Sequence, residues 1–521
     1  MSRSGMLRSL FSTGAGTLVS RMLGLVRDVV IASVFGAGAG ADTFFVAFRI
    51  PNFFRRLFGE GAFSLAFVPV LSEYRVSRSE DEVRDLVGHV AGTLGTVLLA
   101  VTAAGIVAAP GLVYVFASGF AAEPGQAALT ASLLRLTFPY LLFISLTALA
   151  GGILNTWGRF AIPAVTPSLL NVAMIGAAIG LAPRFDEPVI ALAWGVLAGG
   201  VAQLAFQLPF LWRIRMLVRP RLRLAHQGVR RIVRLIVPAV LGVSVAQVNL
   251  LVDTQFASYL AAGSISWLYY SDRLMEFPLG VFGIALATVA LPSLAARHAE
   301  GDPSGFHATL DWALRLVLVI AVPAALGLGI LSIPMIATVF QYGEFGEHAV
   351  RMSALSLSAY AGGLVAFVGV KVLAAGFHAR QQMRIPVRIA VVAMVANVVL
   401  NFLLVGPFAH AGLALASSLA AWLNAGLLLR SLRKEGFYRP RPGWGKLFAQ
   451  TGIAAAAIAL VLAWFQGAPE VWMARAALDR AVWLGALVAA GAIAWFGALA
   501  AAGLRPRDLL RPMAGPPGPS V

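Results

Sequence analysis

Apolar positions in this 521-residue chain neither alternate nor keep to a narrow stripe. They run in blocks of about twenty residues, separated by short clusters of glycine, proline and arginine. A helix of that length spans the hydrocarbon core of a bilayer. Read against their breaks, the blocks predict about fourteen helices. Their cores are 7–35, 42–72, 84–108, 128–155, 161–182, 188–212, 232–260, 265–296, 308–331, 349–377, 385–405, 411–432, 445–466 and 479–503. The expected class is an all-α polytopic membrane protein.

Composition narrows this further. The chain is 59% hydrophobic and 12% charged, with a mean hydropathy of +0.83, too little charge to cover the surface of a soluble protein this long. Cysteine is absent, which excludes disulfide scaffolds, thiolate zinc sites and cysteine nucleophiles. Arg3 and Arg8 precede the first apolar block as in a signal peptide, but the block contains Arg21 and Arg27 and shows no small-residue cleavage site. It reads as a retained first helix. A net charge of +17 suggests nucleic acid only until the charges are placed, because most lie in short loops and no recognition fold accompanies them.

The loops themselves predict an orientation. Arg75, Arg78 and Arg84 follow the second helix, Arg159 the fourth and Arg215, Arg219, Arg221 and Arg223 the sixth. Arg380 and Arg384 follow the tenth helix, and Arg433, Lys434, Arg439 and Arg441 the twelfth. Loops after odd-numbered helices are nearly free of positive charge, and 36–41, 261–266 and 406–412 carry none. By the positive-inside rule both termini are expected to be cytoplasmic.

The chain also repeats itself. Val68-Pro69-Val70-Leu71 answers Leu291-Pro292-Ser293-Leu294, Ile162-Pro163 answers Ile385-Pro386, and Ala191-Leu192-Ala193 answers Ala414-Leu415-Ala416. All three pairs are 223 apart (292 − 69, 386 − 163, 414 − 191), and Asp28 and Asp253 are 225 apart. Six helices separate the copies, so the expectation is two parallel-repeat six-helix lobes with substrate bound between them. The predicted divisions are an N-lobe over 1–215, a C-lobe over 216–435, two further C-terminal helices within 436–505, and a cytoplasmic tail over 506–521. The pair Gly195 and Gly199 is expected to serve close packing inside the N-lobe rather than dimerisation.

Charges inside the predicted spans are the candidate chemistry. The first helix holds Arg21, Arg27 and Asp28. The second holds Asp42, Arg49, Arg55, Arg56 and Glu60, and the eighth Asp272, Arg273 and Glu276. An ion at mid-membrane costs about 2.5–3.5 kcal/mol even on the lenient insertion scale, so these groups should face one another or a wet cavity. Asp42, Arg49 and Arg56 recur at seven-residue steps and share a helix side. Pairing of Arg49 with Asp42 or of Arg273 with Glu276 would account for single residues. It leaves an arginine excess, which suits an anionic and phosphorylated ligand because guanidinium binds phosphate bidentately. Asp253, Asn397, Asn401 and Ser417 are polar groups in apolar surroundings, either a candidate sodium site or a hydrogen-bonded cluster tying helices together. The seven histidines show no ligand spacing, and no HExxH, P-loop or nucleophile-elbow pattern occurs. A transporter without catalytic residues or cofactor is expected, with membrane potential as a driving force.

In SRMLGLVRD (20–28), the long run 35–74, the stretch 139–164 and WLYYSDRLMEFPLGVFGIALATVALPSL (267–294), the sequence resembles the MurJ (MviN) family of lipid II flippases. The resemblance extends through essentially the whole chain. It implies the multidrug/oligosaccharidyl-lipid/polysaccharide exporter fold, alternating access, and lipid II, the undecaprenyl-diphosphate-linked muropeptide, as cargo for peptidoglycan synthesis. It places the required cavity residues on Arg21, Arg27, Asp42, Arg55 and Arg273, with Glu276 supporting Arg273. It also assigns the last two helices to a groove for the lipid tail. Arg49 departs from the lysine that some relatives carry, with the charge unchanged. The implied setting is the bacterial inner membrane, for a monomer among membrane lipids and beside the cell-wall machinery. A related exporter of another polyprenyl-linked oligosaccharide is the alternative.

Overall fold

The computed structural model describes residues 3–56, 62–222 and 226–504, and among these every regular element is helical. In chain order the first elements are α1 (Arg3–Phe35), α2 (Ala39–Arg55), α3 (Ala62–Ser77), α4 (Glu80–Val107), α5 (Ala109–Phe116), α6 (Pro124–Thr137) and α7 (Tyr140–Thr156). There follow α8 (Ala161–Val165), α9 (Pro167–Gly180), α10 (Ile190–Arg213), α11 (Gln227–Ala257), α12 (Ser264–Pro278), α13 (Ile284–Ala299) and α14 (Pro303–Ile330). The last are α15 (Ser332–Phe340), α16 (Glu347–Ala361), α17 (Leu364–His378), α18 (Arg384–Lys434), α19 (Trp444–Phe465), α20 (Pro469–Ala474) and α21 (Ala477–Ala501).

The helices form two compact units. One is built on the residues up to Ser266 together with Tyr342–Phe345, the other on Trp267–Gln341 and the residues from Gly346 onward. In the first unit α1 lies along α8 and α9, α2 against α6 and α7, and α10 against α7 and α9. Its interior includes Phe63, Phe67, Leu86, Ile153 and Leu154. Gly195 and Gly199 bring α10 onto α9, as expected. A Cβ on Gly195 would lie 2.8 Å from that of Ala177, and one on Gly199 2.7 Å from a methyl of Leu170. In the second unit α14 packs on α13 and α17, while α19 and α21 pair with each other and lie on α14. Val319, Ile458, Leu462, Trp472 and Trp495 fill that seam, and the Trp495 indole donates to the Val319 carbonyl at 3.1 Å.

The repeat seen in sequence recurs in the helix bounds. α4 and α14 are both 28 residues long and displaced by 223 at each end (303 − 80, 330 − 107). α3 and α13 are both 16 residues long, with Pro69 and Pro292 inside them. The compact units nevertheless do not divide where the repeat does. α11, which stands in the second series where α1 stands in the first, packs on α3, α4 and α5 within the first unit.

Among the described residues nine helices are long and apolar enough to cross a membrane, or ten if α16 and α17, bent by 43°, form one span. α18 counts once among them although its 51 residues contain a break at Ala409 (φ 47°, ψ −131°), between the eleventh and twelfth predicted spans. α2 and α3 are too short to qualify, with 17 and 16 residues. α1 and α11 are diluted by arginine, aspartate and small polar residues. The helices that fail the apolar test are thus largely those that carry candidate chemistry. Beyond Pro278 a π-helical turn, Leu279–Gly283, joins α12 to α13, since proline removes a backbone donor and the ladder must widen around it.

Candidate functional site

α1 presents Ser20, Gly24, Arg27 and Asp28 at three- and four-residue spacing, which puts them on the face turned to α9. Arg27 is buried, and its guanidinium is fully directed. Nε and Nη2 donate to Asp28 Oδ1 at 3.0 and 2.7 Å, and Nη1 donates to Asn171 Oδ1 at 3.0 Å. Asn171 in turn donates through Nδ2 to the Ser20 carbonyl at 3.1 Å, locking α9 to α1. The charge of Arg27 is therefore held at one orientation before any ligand arrives. Arg21, two turns earlier, is exposed. Nothing in the sequence marked Asn171 as the partner of Arg27, because 144 residues separate them.

On α2 the carboxylate of Asp42 is 2% exposed and accepts three hydrogen bonds: from Gly263 N at 2.7 Å, Ser266 N at 2.8 Å and Ser266 Oγ at 2.5 Å. These donors are the orphan amides where α12 begins, so the anion sits where backbone dipoles favour it. Arg49 reaches α11, donating to Thr254 Oγ1 at 2.7 Å. Arg55 donates to Asn52 at 2.9 Å and Arg56 to Gln247 at 3.0 Å. Glu60 lies outside the described residues.

In the second unit Arg273 and Glu276 are ion-paired on α12. Nη1 donates to Glu276 Oε2 at 3.0 Å and Nη2 to the Tyr269 hydroxyl at 3.2 Å, with the guanidinium 4.8 Å from the Tyr269 ring centroid. Arg273 and Asp272 are half-buried, and Glu276 is exposed. Of the candidate sodium ligands, Asn397 and Asn401 are buried on α18, Ser417 lies further along that helix, and Asp253 lies on α11 of the first unit.

Two further clusters escaped the reading of the sequence. The histidines are not all scattered: Asp85 and His89 on α4 meet His226, with the two imidazole rings stacked at 4.8 Å. The Asp85/His89 step of four was legible, but the third member was 137 residues away (226 − 89). In the second unit the buried carboxylate of Asp311 accepts from Arg315 Nε at 2.6 Å, Trp444 Nε1 at 2.7 Å, the Tyr438 hydroxyl at 2.8 Å and Arg441 N at 3.2 Å. Burial and the neighbouring Asp311 charge both push the Tyr438 phenol above its usual range, so it stays a donor.

The family model "Lipid II flippase MurJ" matches residues 31–478. A protein from Vibrio cholerae described as a probable lipid II flippase MurJ is 45% identical over 511 residues, covering 97% of each chain. Among solved structures, a lipid II flippase MurJ in an inward closed conformation superposes with a TM-score of 0.75 at 26% identity, over 96% of this chain and 99% of that one. A multidrug resistance transporter of the MATE family, in the MOP superfamily, superposes with a TM-score of 0.67 at 14% identity, over 80% of this chain and 95% of that one. The last similarity speaks to the fold alone.

Proposed function

The chain belongs to the MurJ family of lipid II flippases, and from that premise we propose that it carries lipid II from the cytoplasmic to the outer leaflet for peptidoglycan biosynthesis. The observation that carries this reading is colinear 45% identity across 97% of both chains with a relative so described. It is a multi-pass membrane transporter, and the arginines of its predicted spans are those such a cargo needs. Arg21, Arg27, Arg55 and Arg273 are the candidates to take the diphosphate, which guanidinium groups match bidentately. Asn171 and Asp28 support this for Arg27, since they hold its guanidinium in place and reduce the ordering cost of binding.

Asp42, Arg49, Arg56, Glu60, Asp272 and Glu276 serve the gates and the support of those arginines. The lobes 1–215 and 216–435 alternate in access, and the helices of 436–505 hold the lipid tail. Both termini, including the tail 506–521, lie in the cytoplasm. Membrane potential gives direction: moving two negative charges outward through 100 mV, inside negative, is favourable by roughly 5 kcal/mol. Sodium at Asp253, Asn397, Asn401 and Ser417 is a candidate coupling ion. Sodium dependence that survives Asp253→Asn removes that assignment. Indifference of flipping to an imposed potential in vesicles removes the electrical one. Because the chain lacks cysteine, single introduced cysteines near each terminus report orientation directly by labelling.

The deciding experiment is complementation. In a bacterium depleted of its own flippase, wild type should restore growth and surface-accessible lipid II, while well-expressed Arg27→Ala, Arg55→Ala and Arg273→Ala should not. Rescue by every variant would make the arginines structural. Failure of well-inserted wild type would point to another polyprenyl-linked oligosaccharide as cargo.

A further inference from the structure

The cluster at the start of α4 has no part in this account of transport, and its donors are those of a metal site. We propose that Asp85, His89 and His226 bind one divalent transition-metal ion of the zinc class, which clasps the segment between α10 and α11 onto α4. Each residue offers one ligand atom, and the three atoms lie within 4.8 Å of one another. Asp85 Oδ2 is 3.2 Å from His89 Nδ1 and 3.5 Å from His226 Nε2. Ligands at zinc bond lengths in a tetrahedron stand roughly 3.3–3.4 Å apart, so these two edges are already near the required length. Two imidazoles and a carboxylate favour zinc, nickel or cobalt over magnesium or calcium.

The framework brings the three residues together, and the two stacked imidazole rings must tilt toward each other to share one ion. Asp85 and His89 are four residues apart on one helix and share a face. The third ligand stands a few residues beyond a backbone contact with α4: Arg221 N donates to the Gly88 carbonyl at 2.9 Å. The bare face of Gly92 admits the segment, since a Cβ there would come within 2.3 Å of the Arg221 carbonyl oxygen. Arg221 Nη1 holds Asp85 Oδ1 at 3.1 Å and leaves Oδ2 to the imidazoles, as an outer partner orients a metal-bound carboxylate. The Asp85 side chain is 39% exposed, which leaves access and room for a solvent ligand.

Hydrogen bonding assigns the metal-free tautomers. His226 Nδ1 accepts from Gly228 N at 3.2 Å and caps α11, so Nε2 carries the proton toward Asp85. His89 Nδ1 donates to the Asp85 carbonyl at 2.8 Å. The metal would replace those two protons, and His226 would then carry its proton on Nδ1 and release Gly228 N. Metal binding thus has a signature of its own: faster hydrogen exchange at the Gly228 amide.

The test uses the full chain in nanodiscs, without a polyhistidine tag, titrated with zinc against a chelator. One zinc per chain is expected. Asp85→Asn and His89→Ala should weaken binding at least tenfold. His226→Asn should weaken it equally while keeping the thermal midpoint, because asparagine can still cap α11. Absence of stoichiometric binding to wild type would overturn the proposal. So would zinc affinity unchanged in both His89→Ala and His226→Asn. Neither result depends on the cargo, so the site and the transport reading fail separately.

Discussion

α4 and α14 occupy the same place in the two series of helices, and each receives the segment that leads to the next series or to the C-terminal pair. They hold those segments by opposite means. At position 88 of α4 stands glycine, and the Arg221 backbone lies directly on the helix. At the equivalent position of α14 (311 − 88 = 223) stands Asp311, and the segment is gathered by a carboxylate instead of by close approach. Backbone docking leaves the Asp85 side chain of the first junction 39% exposed. Side-chain docking buries the second, where the Asp311 side chain is 3% exposed. One repeated helix has thus produced an accessible junction and a sealed one. The difference turns on whether a single residue carries a side chain.

The comparison breaks most visibly at the sealed junction. Asp311→Ala should destabilise the protein by about 3–5 kcal/mol, because it strands the Arg315 charge and three donors in a buried place. Thermal and denaturant unfolding in detergent measure this, and a midpoint within error of wild type would refute the hub role of Asp311. Gly92→Ala comes next, at about 1–3 kcal/mol, since its Cβ must push the Arg221 backbone away from α4. The same variant should raise hydrogen exchange at the Arg221 amide, which a mere loss of helix packing elsewhere would not do. Trp444→Phe keeps an aromatic ring but removes one of the Asp311 donors, and should cost about 1–2 kcal/mol.

The smallest effect belongs to the exposed ion pair of the first unit, where Arg231 donates to both oxygens of Glu73 at 2.8 and 2.7 Å. Those bonds hold the Glu73 carboxyl below its ordinary 4.5. Its contribution is therefore present above that value and lost as pH falls through the lower folded one. Glu73→Gln should shift the unfolding midpoint less than Trp444→Phe at neutral pH, and not at all once the carboxyl is protonated. A shift that persists in acid would show that packing, not charge, holds that contact.

Much of this architecture was legible beforehand, for reasons visible in particular residues. The 223-residue offset appeared in three short motifs and then in the bounds of α4 and α14, since proline and helix-packing residues recur wherever a helix pair is duplicated. The pair Gly195 and Gly199 announced a close helix contact, because only small residues allow one. The break in α18 falls in the predicted loop 406–412, although its seat, Ala409 at positive φ, was not legible. The partnership of α11 with the first unit was illegible, since repeat position and packing partner are independent.

The sequence by itself determined the solvent this chain folds in, the helical content, the duplication, the family and the residue types available to an anionic ligand. Each of these depends on local composition or on fixed spacing along the chain. Tertiary structure alone decided which polar group meets which. Arg27 is held by Asn171 as well as by its neighbour Asp28, Asp42 by the amides of Gly263 and Ser266, and His89 by His226. Helical periodicity states which face a side chain takes, but the residue opposite it comes from another helix whose register is set only by packing.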